Sequence, residues 1–403
     1  MSLLPVEEAL DRLLSAARPP AETETVALDA ALGRVLAADL GARLTHPAFD
    51  NSAMDGYALR HADISAGDGT VLTVIGRSAA GLRFGGAIGP GEAVRIFTGA
   101  PMPEGADTVL LQEDADVLEG GRIRTTFSPV RGRHVRPKGQ DFYEGETVLA
   151  AGAMLDAGRL TLAASCNHPQ LAVFRRPRVA ILATGDELVP PGGEPGPDQI
   201  VASNGAGIGA IARDNGADVI DLGIVRDDEA AIAAAVRNAV AAGADVLVTL
   251  GGASVGDHDL VQPTLLSLGM TLDFWKIAMR PGKPLMVGRL GDMQVIGLPG
   301  NPVSSLVCGL LFLEPLVRRL ARLPARGRAM TVRIAAELPA NDKRQDYVRA
   351  RFTNEDTPPG ALPFSRQDSS MVSVFANADC LIVRPPQAGP ARAGDLLPAL
   401  RLR

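Results

Sequence analysis

The spacing of hydrophobic positions divides the chain into regions of different local structure. Residues 2–17 follow a helical period, and a second helix-like stretch covers residues 24–37. From Tyr57 to about Asp141, short apolar runs alternate with Gly and Pro, which is typical of short strands in a compact β module. The pattern therefore predicts a helical N-terminal region followed by an all-β region.

Two further changes of pattern follow in the second half of the chain. A helix-rich stretch is predicted after Glu146 and ends before Pro177. From residue 178 to about residue 321, apolar runs alternate with Gly-rich turns and helical stretches, which indicates βαβ units and a mostly parallel sheet. Beyond Met330, alternating apolar and polar positions predict a second small β domain.

Single residues mark helix ends within the predicted βαβ region. After Asp227, Ile232 and Val236 repeat at a four-residue spacing that continues to Val240, and Gly243 follows where a left-handed residue commonly ends a helix. A later helix is predicted to begin with Asn301 as N-cap and Pro302 at the first helical position. The apolar face of the first helix should cover the sheet.

These patterns predict a multidomain α/β protein. We expect helical regions in residues 1–46 and 142–176, on either side of a β domain in residues 47–141. An α/β domain is expected in residues 177–326 and a C-terminal β domain in residues 327–403.

Composition narrows the function classes. With 46% hydrophobic and 21% charged residues, the chain has the composition of an ordinary globular protein. Its net charge of -6 gives no basic field for nucleic acid or acidic lipid, so we expect neither partner. Three separated cysteines indicate a reducing compartment, and neither a secretion signal nor a membrane-length apolar stretch is recognised. We therefore expect a cytoplasmic protein.

The candidate site lies in the turns that follow the predicted parallel strands. In an open α/β sheet, ligands bind beyond the carboxyl ends of the strands. Glycines let the backbone approach a ligand, and N–H groups at helix starts bind phosphate. The turns can equally be ordinary tight βα connections, but several of them on one sheet favour a phosphate site. The residues predicted to bind substrate there are Thr184, Gly185, Gly251, Gly252, Ser254, Pro299 and Asn301.

Carboxylates and cations share these turns. Glu187, Asp227 and Asp259 would repel phosphate unless a cation joined them, and hard oxygen ligands suit Mg²⁺. An alternative for Asp227 or Asp228 is a purely structural N-cap. Nearby, Lys276, Arg280 and Lys283 supply closely spaced positive charges that predict an anion pocket.

Seven segments, in this order, resemble the MoeA family of molybdopterin molybdenumtransferases, which is related to the E domain of gephyrin. They are PAFDNSAMDGYA, IFTGAPMPEGADTV, GQDFYEGE, ILATGDEL, GGASVGDHD, WKIAMRPGKP and GLPGNPVS, and the resemblance runs nearly end to end. It implies a four-part subunit in which residues 1–46 and 142–176 form one helical linker and dimerisation domain, with the β domain of residues 47–141 inserted between them. It also implies a MogA-like three-layer α/β domain, a C-terminal barrel-like β domain and an elongated homodimer. In the family, the active cleft lies between the α/β domain of one subunit and the middle β domain of the other.

The resemblance also implies the activity. Family members insert molybdate into adenylylated molybdopterin with release of AMP, which is the last step of molybdenum cofactor biosynthesis. Mg²⁺ is the expected cofactor. The expected partners are adenylylated molybdopterin, molybdate, a second copy of the chain, the adenylyltransferase that makes the substrate, and the apo-molybdoenzymes that receive the product.

Functional residues follow from matched motif positions. The resemblance implies catalytic roles for Asp55, Thr98, Asp141, Glu187, Lys276 and Arg280, and substrate binding by Lys283, Arg349 and Ser369. Glu187, Asp227 and Asp259 match metal ligands. The chain departs from the family pattern at Arg280, where lysine is expected, at Leu250 and Ala253, and at Asp368, where glycine is expected. The departure at Asp368 bears on the role of the C-terminal domain.

Two other functions stay open from the sequence. The molybdopterin adenylyltransferase shares the α/β module, but it consumes ATP and does not need the flanking domains. A non-catalytic, gephyrin-like scaffold would not require the retained carboxylates and cations.

Overall fold

The computed structural model describes residues 3–65, 69–252, 260–354 and 356–403. The chain forms two compact units. Unit 1 contains Met1–Glu24, Gly33–Val35 and Phe174–Arg403, and unit 2 contains Thr25–Leu32 and Leu36–Val173. Each unit encloses its own hydrophobic clusters, so each is described by itself.

Strands and helices alternate between residues 178 and 320, as the hydrophobic pattern predicted. The described α-helices are α1 (Val6–Ala16), α2 (Ala157–Ser165), α3 (Asn204–Asp214), α4 (Glu229–Ala241), α5 (Val261–Ser267), α6 (Pro302–Cys308), α7 (Glu314–Leu320) and α8 (Val372–Ala376). The described strands are β1 (Thr23–Ala27), β2 (Leu40–Gly41), β3 (Asn51–Ser52), β4 (Gly56–Leu59), β5 (Val71–Ser78), β6 (Glu92–Ile96), β7 (Thr108–Leu111), β8 (Ala115–Leu118), β9 (Arg122–Thr125), β10 (Val135–Arg136), β11 (Thr147–Leu149), β12 (Gln170–Phe174), β13 (Arg178–Thr184), β14 (Leu188–Val189), β15 (Ile200–Val201), β16 (Asp218–Val225), β17 (Val246–Leu250), β18 (Thr271–Trp275), β19 (Met279–Arg280), β20 (Met286–Leu290), β21 (Met293–Leu298), β22 (Ala329–Ile334), β23 (Gln345–Phe352), β24 (Gly360–Pro363), β25 (Cys380–Arg384) and β26 (Leu396–Arg401).

Unit 1 is built on a six-stranded sheet in the order β16-β13-β17-β21-β20-β18. The first four strands are parallel, and β20 runs antiparallel to both β21 and β18. Side chains alternate between the two faces, so Val179 and Ile181 enter one core while Ala180 and Leu182 enter the other. Helices α1, α3, α6 and α7 cover the first face, and α4 and α5 cover the second. The result is a three-layer α/β arrangement with a mostly parallel sheet.

Helix α4 behaves largely as its sequence predicted. Ile232 and Val236 are fully buried against the sheet, whereas Val240 is 52% exposed near the end of the helix. Burial of each large aliphatic side chain contributes about 1.5–3 kcal/mol. Gly243 follows with φ of 67°, the left-handed conformation that ends the helix without a Cβ clash.

The C-terminal region forms a closed β-barrel within unit 1. Each of β22, β23, β24, β25 and β26 pairs with two others of the set, so the five strands form a ring without a free edge. Strand β19, which belongs to the loop after β18, adds to this barrel by pairing in parallel with β23. Backbone hydrogen bonds therefore join the barrel to the α/β part of unit 1.

Unit 2 contains the predicted all-β region. Its main sheet has the order β7-β4-β6-β5-β9-β8, and short pairs form between β3 and β10 and between β2 and β11. Apolar side chains of β4 and β6 enter cores on both faces of this sheet. Helix α2 starts at Asp156, whose carboxylate accepts a hydrogen bond from the Arg159 backbone N–H at 2.9 Å.

Two local predictions were wrong. Residues 24–37 contain strand β1 and a short 3-10 turn instead of a helix. The β-branched Thr25 and Val26 favour the strand, and Gly33, with φ of 73°, interrupts any continuation. Residues 142–176, all of which the structure describes, were expected to be helix-rich, but helix α2 there lies between strands β11 and β12.

The division into four domains stays a prediction. Helix α1, assigned by the sequence to the linker domain, buries Ala9 and Leu13 in the same core as α3 and α7. Within the described ranges, no helix has the length and apolar character needed to span a membrane.

Candidate functional site

The strand register aligns the predicted turns along one edge of the unit 1 sheet, which we call the rim. Residues at the strand ends are joined by the pairs Val225–Thr184, Ala183–Leu250, Leu250–Leu298, Gly297–Met286 and Met286–Trp275. The turn after each parallel strand, the turn after β18 and the turn before β20 consequently emerge on the same side. This is the edge at which α/β proteins bind ligands.

A cavity of about 570 Å³ opens at the rim. We call it the rim cavity and define it by six of its lining residues, Thr184, Glu187, Asn204, Gly251, Pro299 and Asn301. These residues come from the ends of the three central parallel strands and from the start of α3. The structure therefore brings together many of the residues that the sequence placed at a phosphate site.

Glycine is needed at two of these turns because the backbone approaches other groups closely. Gly185 has φ of 150°, and a Cβ there would lie 2.4 Å from the Glu187 Oε2 atom. Gly251 has φ of 91°, and a Cβ there would lie 3.2 Å from the Thr184 carbonyl oxygen. Gly252 also has positive φ, at 63°. The turns after β13 and β17 thus press against each other at the cavity.

Asn301 occupies the predicted N-cap position of α6, with Pro302 at the first helical position. Its side chain makes no cap hydrogen bond and instead donates to Ser369 Oγ at 3.1 Å. The Val303 N–H donates to the Ser369 carbonyl oxygen at 3.0 Å. Asn204, which the sequence did not single out, donates from Nδ2 to the Gly300 carbonyl oxygen at 2.8 Å. Hydrogen bonds to Ser369 therefore join the loop between β24 and α8 to the rim.

One end of the rim is acidic, and we call Asp186, Glu187 and Asp227 the acidic flank. Burial raises the pKa of the Asp227 carboxyl; a hydrogen bond from the Asp186 backbone opposes this, and the Asp186 and Glu187 carboxylates raise it further. Asp186 also forms an exposed ion pair with Arg226 at 3.3 Å, a type of pair that contributes little. Asp227 and Glu187 are thus left as the carboxylates suited to a cation.

Asp228 has the structural role that the sequence left open for this pair. Its Oδ1 atom accepts a hydrogen bond from the Ala231 N–H at 2.8 Å, and it is the N-cap of α4. Asp227 does not cap this helix. The two adjacent carboxylates are therefore distinguished by geometry.

The other end of the rim is basic, and we call Lys276, Arg280 and Lys283 the basic flank. Lys276 has φ of 80°, and its Nζ atom lies 4.7 Å from the centre of the Trp275 ring. Lys283 is exposed, and its carbonyl oxygen accepts a hydrogen bond from the Ile277 N–H at 3.0 Å. Since β16 and β18 are the outer strands of the sheet, their ends are about 24 Å apart at a spacing of about 4.8 Å per strand. The acidic and basic flanks share the rim but lie toward its opposite ends.

Arg280 is engaged by the barrel. Its guanidinium forms ion pairs with Asp346 and, at 3.3 Å, with Asp342, and it donates to Asn341 Oδ1 at 3.2 Å. The hydrogen bond and charge of Asp346 raise the pKa of Arg280 above its ordinary value. Arg280 therefore joins the basic flank to the barrel, through the pairing of β19 with β23 and through its ion pairs with Asp342 and Asp346.

Arg349 is a buried cation in barrel strand β23. It is 1% exposed, its Nη1 donates to the Tyr347 carbonyl oxygen at 3.2 Å, and its Nε and Nη2 have no partner among the described residues. Burial lowers its pKa, an effect opposed by the charges of Asp346 and Asp368. Unpaired donors on a buried guanidinium are costly, which fits a position where an anion binds. The unexpected Asp368 accepts hydrogen bonds from the N–H and hydroxyl of Ser370, so its carboxylate stabilises the loop that carries Ser369.

In unit 2, Asp55 and Thr98 form a direct pair. The Asp55 Oδ1 atom accepts hydrogen bonds from the Thr98 N–H and hydroxyl, both at 2.8 Å. These bonds lower the pKa of Asp55, and nearby Arg95 lowers it further. Arg95 was missed by the sequence reading; its guanidinium lies over the rings of Tyr57, at 4.9 Å, and Phe97, at 5.2 Å. Asp55 is thus held as an ionised acceptor.

Asp141 lines a separate cavity of about 500 Å³ in unit 2, together with His46, Asn51 and Arg136. Its backbone N–H donates to the His46 carbonyl oxygen at 3.1 Å. Neither Asp55 nor Thr98 lines this cavity, although all three residues belong to unit 2.

Ser254 and Asp259, predicted to bind substrate and metal respectively, lie outside the described residues. Within the described parts of the chain, no three His, Cys, Asp or Glu side chains form a metal-binding group by themselves. Mg²⁺ commonly takes only one or two carboxylates, with phosphate and water completing its shell. The oxygen donors of Glu187 and Asp227 fit that requirement, and the Glu187 carboxylate contributes to raising the pKa of Asp227.

Fold and rim together define a multidomain α/β protein with a cavity of about 570 Å³ at the rim, between acidic and basic groups. The chain matches the family models for the MoeA N-terminal region (domain I and II) at residues 4–167, the probable molybdopterin binding domain at residues 180–319, and the MoeA C-terminal region (domain IV) at residues 331–402. It therefore belongs to the MoeA family, as the sequence motifs indicated.

Individual relatives agree with this assignment. A molybdopterin molybdenumtransferase of a Nostoc species is 40% identical over 81% of this chain and 76% of its own length. One from Haemophilus influenzae is 34% identical over 98% of this chain and 97% of its own. A solved MoeA protein of molybdopterin biosynthesis from Pyrococcus horikoshii has a TM-score of 0.84 at 30% identity and covers 100% of both chains.

Proposed function

We propose that this protein is a molybdopterin molybdenumtransferase that inserts molybdate into adenylylated molybdopterin and releases AMP. The observation that carries the proposal is the rim of unit 1, where a cavity lined by glycine turns lies between an acidic and a basic flank. The substrate needs the same sequence of environments, because a metal must neutralise its pyrophosphate and a cationic site must receive molybdate. Relatives that match nearly the full chain carry this name.

The phosphates of the substrate would lie in the rim cavity. Thr184 and Gly251 line this space, Gly185 and Gly252 are their neighbours in the same turns, and glycine turns of this kind bind phosphate oxygens. Ser254, Pro299 and Asn301 are assigned to the same role from their motifs.

Glu187 and Asp227 would hold Mg²⁺, with Asp259 added from the family motif. When bound, the ion supplies Lewis acidity and neutralises charge on the phosphate oxygens. The proposal explains why Asp227, whose pKa is raised by burial and by the neighbouring carboxylates, lies beside an anionic ligand. Asp228 has no part in it, because its carboxylate caps α4.

Molybdate would bind at the basic flank and the adjoining barrel. Lys276 and Lys283 supply charge, Arg349 supplies unpartnered guanidinium donors, and Ser369 adds a hydroxyl next to Asn301. We assign Arg280 to positioning, since Asp346 and Asp342 already engage its guanidinium. Asp368 orders the Ser369 loop.

Asp55, Thr98 and Asp141 would act from a second subunit of a homodimer, as the family resemblance implies. The hydrogen bonds from Thr98 keep Asp55 ionised, so that it can orient water or accept a proton as the pyrophosphate bond is hydrolysed. Each cleft would then need both subunits.

Reconstitution tests the function directly. The purified chain is mixed with adenylylated molybdopterin, molybdate and Mg²⁺, while AMP release and activation of an apo-molybdoenzyme are followed. We expect both signals to require molybdate and the divalent ion. ATP consumption with unmodified molybdopterin would assign the adenylyltransferase reaction instead. Absence of both reactions, with tight binding of a partner protein, would assign a scaffold.

Mixed dimers test the proposed subunit arrangement. Homodimers of Asp55→Ala or of Asp227→Ala should be inactive, whereas dimers pairing the two variants should recover one working cleft of two. Mixed dimers that release no AMP would rule out the shared cleft. Asp55→Ala homodimers as active as the wild type would show that Asp55 is not part of the site.

A further inference from the structure

A second cavity of about 500 Å³ lies beside the rim cavity in unit 1. We call it the side cavity. It is defined by Ile181 on β13, Val219 and Asp221 on β16, Gly205 and Arg213 on α3, and Pro191. Apolar side chains of the two strands line it, and a carboxylate and a guanidinium are its charged groups. No role has been given to it so far.

The two cavities are adjacent. Ala183, Ala202, Gly205 and Leu250 line both of them. A ligand whose phosphates occupy the rim cavity can therefore extend a flat ring into the side cavity. Cavities of roughly 300–1,000 Å³ with mostly apolar walls and a few polar groups are typical of small-molecule sites.

Gly205 marks space that no protein atom fills. A Cβ at Gly205 would meet only Leu250, at an ordinary 3.8 Å. By contrast, a Cβ at Gly207 would lie 2.7 Å from Leu306, so glycine there serves packing. The packing at Gly205 therefore gives no reason for glycine, and the space beside it is open to a ligand.

We propose that the side cavity binds the pterin ring of the substrate, and this inference rests on the proposed function. The substrate has two flat ring systems, pterin and adenine. A pterin presents two adjacent N–H donors, at ring position 3 and on the 2-amino group, which match the two oxygens of a carboxylate. Adenine presents one donor beside an unprotonated ring nitrogen, so a carboxylate gains one hydrogen bond and faces a lone pair.

Asp221 is placed for this recognition. Its Oδ1 atom accepts a hydrogen bond from the Gly223 N–H at 2.9 Å, which fixes the carboxylate at the cavity. Arg213 contributes N–H donors to the same cavity, the polarity that the ring carbonyl of a pterin needs. The combination favours the pterin over the adenine.

Binding of two simple probes tests the proposal. Pterin-6-carboxylic acid and AMP are titrated separately against the wild-type chain and against Ala206→Leu and Asp221→Asn, because Ala206 and Asp221 line the side cavity and not the rim cavity. We expect both variants to bind the pterin about tenfold more weakly or worse, because one fills the space and the other removes a charge-assisted hydrogen bond. AMP affinity should stay within about twofold, a free-energy change under about 0.5 kcal/mol.

Matched controls carry the same changes outside the cavity. Ala210→Leu adds the same bulk on an exposed position of α3, and Asp218→Asn removes an exposed carboxylate at the other end of β16. Neither should alter pterin affinity. Ala206 is exposed, so the leucine there fills the side cavity without displacing the core of α3.

Three outcomes overturn the proposal: loss of AMP affinity with unchanged pterin affinity, unchanged affinity for both probes, and no pterin binding by the wild-type chain. The first would place adenine in the side cavity. These titrations need neither molybdate nor turnover. Failure of the reconstitution with intact, Asp221-dependent pterin binding would therefore count against the proposed reaction alone.

Discussion

The two flanks of the rim differ in how their charges are satisfied. In the acidic flank, burial and the carboxylates of Asp186 and Glu187 raise the pKa of Asp227, so the ionised form of Asp227 is disfavoured. In the basic flank, Arg280 is already paired with Asp342 and Asp346 of the barrel. A cation would therefore stabilise the ionised acidic flank, whereas the Arg280 charge of the basic flank is already neutralised by ion pairs. Under the proposed function, anion binding there would depend on the two lysines and on Arg349.

The acidic and basic flanks also lie too far apart along the rim for their ligands to touch. Glu187 follows β13 and Lys283 precedes β20, so at least three strand spacings, about 14 Å, lie between the flanks. One metal ion and one molybdate ion at these positions would not be in contact. An elongated substrate that spans the rim can reach both. The proposed pterin site beside the acidic flank would fix one end of such a substrate.

The largest effect is expected from the acidic flank. Asp227→Asn keeps the shape of the side chain but removes its charge, so AMP release should fall by roughly 100-fold, a loss of several kcal/mol typical of metal sites. The measurement is the rate of AMP release as a function of Mg²⁺ concentration.

Asp228→Asn is the matched control, because asparagine also caps helices well. It should retain nearly full activity. Equal losses in the two variants would contradict the distinction between the capping carboxylate and the metal-binding carboxylate.

The next largest effect separates two members of the basic flank. Lys283→Ala should raise the KM for molybdate about tenfold, equivalent to about 1.4 kcal/mol, with little change in stability. Arg280→Ala should instead lower the free energy of unfolding by about 1–2 kcal/mol, since it leaves Asp346 unpaired beside the barrel. Steady-state kinetics and denaturant unfolding measure the two quantities.

Arg280→Lys serves as the conservative control for the second variant. It should recover part of the lost stability, because lysine retains one charged contact but cannot donate as a planar fork. A tenfold KM increase in Arg280→Ala without a loss of stability would place Arg280 among the direct molybdate ligands.

The sequence predicted some elements of the fold correctly and others not. Local periodicity predicted β13, β17 and α4 well, because the positions facing the core repeat over neighbouring residues. It failed for residues 24–37, where Leu28 donates its backbone hydrogen bond to Pro169, a residue distant in sequence. Tertiary pairing overrode an apparently helical spacing there.

The candidate site shows the same limit. Motif order placed Thr184, Gly251 and Asn301 on one rim, and the strand register agrees. The partners of Arg280 lie 62 and 66 residues further along the chain, so no local pattern identifies them. The side cavity was missed for the same reason, since its walls come from separate elements that only the fold brings together.

A smaller effect is expected from the cap itself. Asp228→Ala removes the hydrogen bond to the Ala231 N–H and should destabilise the protein by about 1 kcal/mol. This corresponds to about 2–4 °C in Tm for a unit of this size. Thermal unfolding measures it, with Asp228→Asn as the variant that should unfold like wild type. A cap that contributes nothing would give identical melting curves for Ala and Asn.

The smallest effect tests the electrostatic origin of the comparison. The pKa of Asp227 is raised in the folded chain, so its protonated form favours folding. Its contribution is fully present below the ordinary aspartate pKa of about 3.9 and is lost as the pH rises through the raised value. Asp227→Asn removes this loss, so its Tm relative to wild type should increase as the pH rises from about 4 toward neutrality. Added Mg²⁺ should cancel the difference by stabilising only the wild-type chain, as expected for a ligand that binds the folded state. A Tm difference independent of both pH and Mg²⁺ would mean that the carboxylates of the acidic flank do not oppose one another, and the contrast with the basic flank would be lost.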